Sequence, residues 1–215
     1  MIIEYALHDL TENDQETKQQ LQKVINFPVN SLSVYSPHLK LAKSVVGEAR
    51  YPIMLNAMLG YPYGQTDSET RQKMVKDAID LGANIITLSC QWHYAVNRKY
   101  DKMRKDIDMM VEACSAKPTR LRYMLEYRVF SYQLMQKISE ILLEKNINTI
   151  YISSGQYLDN IYDNLIASAM INKNVPDIQI ICTANIWNRD HIELLHKSEI
   201  YGQTVQSINS LELLS

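Results

Sequence analysis

Short apolar and β-branched runs recur along the chain, and segments with the periodicity of amphipathic helices separate them. Eight runs have the length of buried strands; they cover residues 2–6, 31–35, 53–58, 84–90, 121–127, 149–153, 178–184 and 200–205. Strands that alternate with helices pair in parallel, because a parallel connection must cross over the sheet. The pattern therefore predicts an α/β fold with a parallel sheet.

The segments between the runs have apolar residues on one helix face. One such stripe is formed by Met103, Ile107, Met110 and Val111. Further upstream, residues 66–69 have the spacing of a capping box, at which a helix is expected to begin. No linker or low-complexity stretch interrupts the alternation, so residues 1–215 are expected to form a single domain.

Eight strand–helix units in 215 residues fit a closed TIM (β/α)8 barrel. Closure is favoured because it leaves no exposed strand edge. An open doubly wound sheet is the alternative, since the same alternation also produces it. In a barrel the functional side chains lie at the carboxyl ends of the strands and in the loops that follow them.

Charge and cysteine content exclude several classes of function. The formal net charge is -2 and no dense run of Lys or Arg occurs, so neither nucleic acid nor an anionic membrane is an expected partner. No apolar run approaches the ~20 residues needed to span a bilayer, and the first residues lack a signal-peptide pattern; a cytoplasmic protein is expected. The three cysteines show no Cys-x-x-Cys spacing, which argues against a disulfide framework and a zinc site.

The carboxyl ends of the predicted strands are polar. Seven residues there are candidate ligand-binding residues: Asn56, Glu126, Ser153, Ser154, Gly155, Thr183 and Asn185. Glu126 has the chemistry of an acid or base, although a structural pair with Arg122 or Arg128 is equally consistent with the sequence. Residues 153–155 fit an anion site at the start of a helix, or a simple N-cap.

The histidines show no spacing typical of metal ligands. Those considered are His8, His38, His191 and His196. Neither a metal nor another cofactor is therefore expected.

The sequence LGYPYGQT at residues 59–66 resembles the I-G-F-P-x-G-x-T stretch after the third strand of the deoxyribose-phosphate aldolases. As in that family, the next helix ends in A-x-x-x-G-A, here residues 78–83, and residues 100–114 resemble its D-x-x-x-V-x-x-D-I helix. The resemblance extends without large gaps over residues 31–175. It implies a (β/α)8 barrel and a carbon–carbon lyase that cleaves 2-deoxyribose 5-phosphate to glyceraldehyde 3-phosphate and acetaldehyde.

In that family a lysine on the sixth strand forms a Schiff base, a lysine on the seventh strand lowers its pKa, and an aspartate on the fourth strand shuttles protons. The resemblance places Tyr151, Cys182 and Thr87 at these three positions. A phenol forms no imine, and threonine is not a carboxylate. The family's D-H-T on the first strand is replaced by Glu-Tyr-Ala at residues 4–6, whereas the glutamate on the fifth strand corresponds to Glu126.

Three hypotheses follow. The favoured one is a divergent aldolase-like barrel that binds a small, sugar-phosphate-like metabolite or a partner without Schiff-base catalysis, because all fourteen lysines fall in predicted helices or loops. The second is an active aldolase that uses other residues. The third is another enzyme on the same scaffold, built around Glu126 with Cys182, Tyr151 or His93. A homodimer is a further expectation, since the outer helices offer a surface for one.

Overall fold

The computed structural model of the chain describes residues 1–7, 13–155, 157 and 160–214; His8 lies outside them. Within these residues, eight parallel strands pair in chain order, and the sheet closes where the first strand pairs with the last. The strands are β1 (Ile2–Ala6), β2 (Ser31–Tyr35), β3 (Met54–Leu59), β4 (Ile85–Ser89), β5 (Arg120–Met124), β6 (Thr149–Tyr151), β7 (Gln179–Cys182) and β8 (Gly202–Val205). The predicted (β/α)8 barrel is confirmed.

Helices surround the barrel. Those in the described part of the chain are α1 (Asp14–Val24), α2 (Leu39–Val46), α3 (Ser68–Asp80), α4 (Trp92–Val96), α5 (Tyr100–Cys114), α6 (Tyr132–Glu144), α7 (Ile161–Asn174), α8 (Arg189–Lys197) and α9 (Ile208–Leu214). The capping box expected at residues 66–69 is not the cap of α3. Asp67 has that role, because its carboxylate accepts a hydrogen bond from the Thr70 amide at 3.0 Å.

The main apolar core lies between the strands and the helices. Strand side chains alternate between the barrel interior and this layer, where Leu88 and Ile150 pack with Ile107 and Met110 of α5. Val111, the fourth member of the predicted stripe on α5, is 39% exposed, because it lies about 100° around the helix from Met110. The prediction for this residue was wrong.

The barrel interior has a different composition. Its apolar cluster is small and consists of Met124, Tyr151 and Ile181, while most interior side chains near them are polar and buried. No helix in the described ranges is long and apolar enough to cross a bilayer. The same ranges contain no group of three or more His, Cys, Asp or Glu side chains placed to hold a metal ion.

Candidate functional site

A buried hydrogen-bond network fills the centre of the barrel around Tyr151. The Tyr151 hydroxyl donates to Glu4 Oε1 at 2.5 Å and accepts from Asn56 Nδ2 at 3.1 Å and from Arg122 Nη1 at 3.0 Å. The Arg122 guanidinium also forms an ion pair with the Glu4 carboxylate, with 3.2 Å between Nη1 and Oε2. The Tyr151 hydroxyl is therefore bonded to three side chains at the level where the family resemblance places its Schiff-base lysine.

Hydroxyl groups complete this network. Ser31 Oγ donates to Glu4 Oε2 at 2.6 Å, and Thr87 Oγ1 donates to Asn56 Oδ1 at 3.0 Å. Both hydroxyls thus have partners, as buried polar groups generally do. Burial and the Glu4 carboxylate raise the pKa of Tyr151, so the phenol stays protonated at neutral pH. A protonated, fully bonded phenol is a structural centre rather than a nucleophile.

Glu126 lies just beyond the carboxyl end of β5, at the barrel mouth. Its Oε2 accepts hydrogen bonds from the Ser154 amide at 2.9 Å and the Ser154 hydroxyl at 2.5 Å, and its Oε1 accepts one from the Arg128 amide at 3.3 Å. The ion pair considered between Glu126 and Arg122 does not form, because Arg122 pairs with Glu4. The Glu126 carboxylate is instead an internal acceptor for the loop after β6.

This carboxylate changes the prediction of an anion site at residues 153–155. The Ser154 amide is already bound to a negative group, and a second anion beside Glu126 would be repelled. The segment also does not begin a helix, since α7 starts at Ile161 and is capped by the Asn160 side chain, which accepts from the Asp163 amide at 2.9 Å. Both properties disfavour a phosphate at this position.

The remaining candidates lie at two depths. The hydroxyls of Ser153 and Thr183 form a hydrogen bond with each other across the ends of β6 and β7, next to the contact of Glu126 with Ser154. Gly155 follows with a positive φ of 75°, and Asn185 is half-buried. Asn56 does not belong to this group, because it lies deeper in the network of Tyr151.

Aromatic side chains surround the mouth. The Tyr61 hydroxyl donates to the Ser154 carbonyl at 2.8 Å, and the hydroxyls of Tyr63 and Tyr157 are 3.1 Å apart. A pocket of about 120 Å³ lies here; its lining includes Tyr63, Cys90, Trp92, Met124, Glu126 and Phe130. One carboxylate among aromatic rings suits a neutral or cationic group of a ligand.

Glycine at position 64 fixes the loop that carries two of these tyrosines. A Cβ atom on Gly64 would lie 2.5 Å from the Cys90 carbonyl oxygen and 2.7 Å from that of Ser89, and the residue has a positive φ of 59°. Only glycine allows this close approach of two backbones. The glycine of the LGYPYGQT motif therefore seats the aromatic loop on the end of β4.

Cys182 does not face the barrel interior. Ile181 packs inside with Met124 and Tyr151, so its neighbour Cys182 points toward the helices, with its Sγ 3.5 Å from the Ser168 hydroxyl on α7. The interior position on β7 is thus Ile181, one residue before the position that the sequence resemblance indicated. This placement removes the geometric basis for joint action of Cys182 and Glu126.

Two central residues were missed by the sequence analysis. Glu4 was counted only as a departure from the family motif, and Arg122 only as a possible partner of Glu126, yet their ion pair is almost completely buried. A signal was present, because each is a charged residue inside a predicted strand. Charged groups are buried in this way almost only when they are paired.

The lysines lie away from this centre. All fourteen occupy described positions, and none of them is on a strand.

No family model matches the chain. Among curated proteins it is similar to the deoxyribose-phosphate aldolases of Staphylococcus carnosus, at 24% identity over 155 residues (70% of this chain and 68% of the relative), and of Staphylococcus epidermidis, at 25% identity over 118 residues (53% of this chain and 52% of the relative). The chain thus matches about half to two thirds of these relatives' length.

Solved structures agree with the fold. The deoxyribose phosphate aldolase from Aeropyrum pernix superposes with a TM-score of 0.85 at 10% identity, over 99% of this chain and 88% of that protein. An aldolase called QR15 superposes with a TM-score of 0.83 at 15% identity, over 98% of this chain and 90% of that protein. This chain is thus similar in sequence to curated deoxyribose-phosphate aldolases and has the same (β/α)8 barrel fold.

Proposed function

We propose that this chain is an aldolase-like barrel that binds a small polar metabolite at its carboxyl-terminal mouth without forming a Schiff base. The observation that carries the proposal is the network around Tyr151. The phenol fills the central position and is bonded to Glu4, Asn56 and Arg122, while every lysine lies in a helix or a loop. An imine requires an amine that can lose its proton inside the barrel, and this interior is supplied with a phenol instead.

The mouth supports a ligand of a particular character. The Glu126 carboxylate accepts a hydrogen bond from the Ser154 amide, and Trp92 and Tyr63 line the adjoining pocket. A sugar-like ligand would place its hydroxyl groups against the carboxylate and its apolar face against a ring, which are common features of small-molecule sites. We infer that the group bound here is uncharged or cationic, and that it is not a phosphate.

The absence of Schiff-base chemistry is tested with 2-deoxyribose 5-phosphate, borohydride and mass spectrometry. We expect no release of acetaldehyde and no increase in the mass of the folded protein after reduction. The aldolase of Staphylococcus carnosus, assayed in parallel, provides the control for substrate and reductant. A mass increase located on a lysine would contradict the proposal.

Binding at the mouth is tested separately by thermal unfolding with 2-deoxyribose, which carries no phosphate. A ligand that binds only the native state raises the unfolding midpoint, so the neutral sugar should raise it. Trp92→Ala should remove the effect, because Trp92 lines the pocket. Trp187→Ala is the matched control, since Trp187 is 73% exposed and is not part of that lining.

An active aldolase is the second candidate. The similarity to curated deoxyribose-phosphate aldolases over 70% of the chain favours it. It requires a reactive amine from a helix or loop to reach the mouth, so the borohydride experiment distinguishes the two candidates directly.

A further inference from the structure

A second cavity opens at the amino-terminal end of the barrel, opposite the mouth. Its volume is about 620 Å³, and it is bounded by the first residues of β5, β6 and β7 and by the last turns of α5 and α6. The pocket at the mouth measures about 120 Å³. Sites for drug-sized ligands commonly measure roughly 300–1,000 Å³, so the amino-terminal cavity can hold a larger ligand than the mouth pocket can.

The charged side chains that line this cavity are all cationic. Arg120, Arg122 and Lys145 line it, and no aspartate or glutamate belongs to its described lining. Lys145 is paired, with its Nζ 2.6 Å from Asp108 Oδ1. Arg120 is exposed, and the described residues provide its guanidinium with no ion-pair partner. Because Arg122 is paired with Glu4 and Lys145 with Asp108, the uncompensated positive charge of the lining is that of Arg120.

Arg122 is the buried element of this site. Its side chain is 3% exposed, and Nη1 is the atom that contacts Glu4 and Tyr151. Its Nε and Nη2 groups donate to no other described residue, although the side chain lines the cavity. A guanidinium has five N–H donors in a fixed fork, so one edge serves the central network and the other remains available to a ligand.

Strand geometry brings a second arginine and an amide to the same place. Arg120 and Arg122 are two residues apart on β5, so their side chains lie on one face about 6.6 Å apart along the strand. Gln179, at the start of β7, also lines the cavity. Its Oε1 accepts from Thr149 Oγ1 at 3.1 Å, which leaves its amide N–H groups as further donors.

We propose that this cavity binds the phosphate group of a small phosphorylated metabolite, with Arg120, Arg122 and Gln179 as the donors. Arginine suits phosphate because its planar fork matches two phosphate oxygens, and such charge-assisted hydrogen bonds are the strong ones. The carboxyl ends of α5 and α6 are another possible reason for cations here, because a helix carries partial negative charge at that end. Lys145 already lies at the end of α6, and Arg120 and Arg122 lie on a strand, so the helix ends do not explain the two arginines.

The test is isothermal titration of inorganic pyrophosphate into the full-length protein at constant ionic strength, without divalent cations. We expect a dissociation constant below about 1 mM, because the cavity offers at least two arginine contacts. Arg120→Gln should weaken binding at least tenfold and should leave the fold intact, since Arg120 is exposed. Lys76→Gln removes one charge from an exposed position outside the cavity and should change the affinity less than twofold.

A mouth variant provides the spatial control. Thr183→Val alters the carboxyl-terminal end of the barrel, where Thr183 bonds Ser153, and should leave pyrophosphate binding unchanged. The proposal is overturned if the unaltered protein does not bind pyrophosphate, if Arg120→Gln binds as tightly as the unaltered protein, or if Thr183→Val weakens binding as much as Arg120→Gln does. These outcomes are independent of the aldolase experiment, which concerns the other end of the barrel.

Discussion

The two ends of the barrel differ in charge and in size. The carboxyl-terminal mouth has a small pocket with Glu126 and several aromatic rings. The amino-terminal cavity is larger, and the charged residues of its lining are Arg120, Arg122 and Lys145, of which the last two are ion-paired. Barrel enzymes generally bind ligands, including phosphates, at the carboxyl-terminal face. In this chain, the end suited to an anion is the opposite one.

The difference shows how a barrel can keep its architecture while its interior chemistry changes. The strands pair in the same order as in any closed (β/α)8 sheet, because pairing depends on backbone groups and on the apolar layer beneath the helices. Interior side chains are a separate set, determined by alternate strand positions. Replacement of a few of them can reverse the charge of the two ends without changing the fold.

The ion pair of Glu4 and Arg122 lies inside the barrel between these two ends. Removal of one partner should have the largest effect on the free energy of unfolding. Glu4→Leu leaves the Arg122 guanidinium buried without its carboxylate, which costs about 3–5 kcal/mol of unfolding free energy. The measurement is the midpoint of urea unfolding followed by circular dichroism. Glu48→Gln, at an exposed position, should change stability by less than about 0.5 kcal/mol.

A double variant sharpens this test. Glu4→Leu combined with Arg122→Met removes both charges, so it should recover part of the stability lost in Glu4→Leu, as apolar replacements of buried pairs often do. If the double variant were less stable than the single one, the network would owe its stability to packing rather than to the paired charges.

Glu126→Ala should have the next largest effect, at the mouth. The change removes the acceptor of the Ser154 amide, and a buried amide left unbonded costs about 1–3 kcal/mol. Glu126→Gln keeps a carbonyl acceptor, so it should lose less than half as much in the same urea experiment. Equal losses in the two variants would mean that the charge of Glu126, rather than its hydrogen bonds, stabilises the loop.

Sequence periodicity was sufficient for the fold but not for the register of single interior residues. The bounds of β1 and β2 were predicted correctly, and β5 was extended to Tyr127 although it ends at Met124. The resemblance placed Cys182 inside the barrel, where the structure has Ile181. A shift of one residue turns a strand side chain to the opposite face, so this error changes which residue belongs to the site.

The composition of the site was only partly predictable. The family resemblance placed Tyr151 and Thr87 at catalytic positions inside the barrel, and Asn56 was a candidate because it lies near the carboxyl end of its predicted strand. The pairing of Glu4 with Arg122 was not recognised, since the two residues are 118 positions apart in sequence. The hydrogen bond from the Ser154 amide to Glu126 was not recognised either. It depends on how the loops after β5 and β6 meet, and the apolar pattern of the strands does not predict that contact.

Two buried thiols give the smallest expected effect and compare the two ends in one experiment. Cys90 lines the mouth pocket and Cys114 the amino-terminal cavity. Burial raises the pKa of Cys90 to about 12 and that of Cys114 to about 11. Because the thiolate is the reactive form, iodoacetamide should alkylate Cys114 faster than Cys90 between pH 8 and 10.

The same thiols should report on stability and on occupancy. Unfolded thiols lose their protons near pH 8.5, whereas the buried thiols of the native protein keep theirs. The stability that these protonated thiols contribute is therefore complete below about pH 8.5 and declines as the pH rises toward 11. Pyrophosphate should slow the alkylation of Cys114 and leave that of Cys90 unchanged, as measured by mass spectrometry of the peptides. Slower alkylation of Cys90 alone would place the anion at the mouth and reverse the assignment of the two ends.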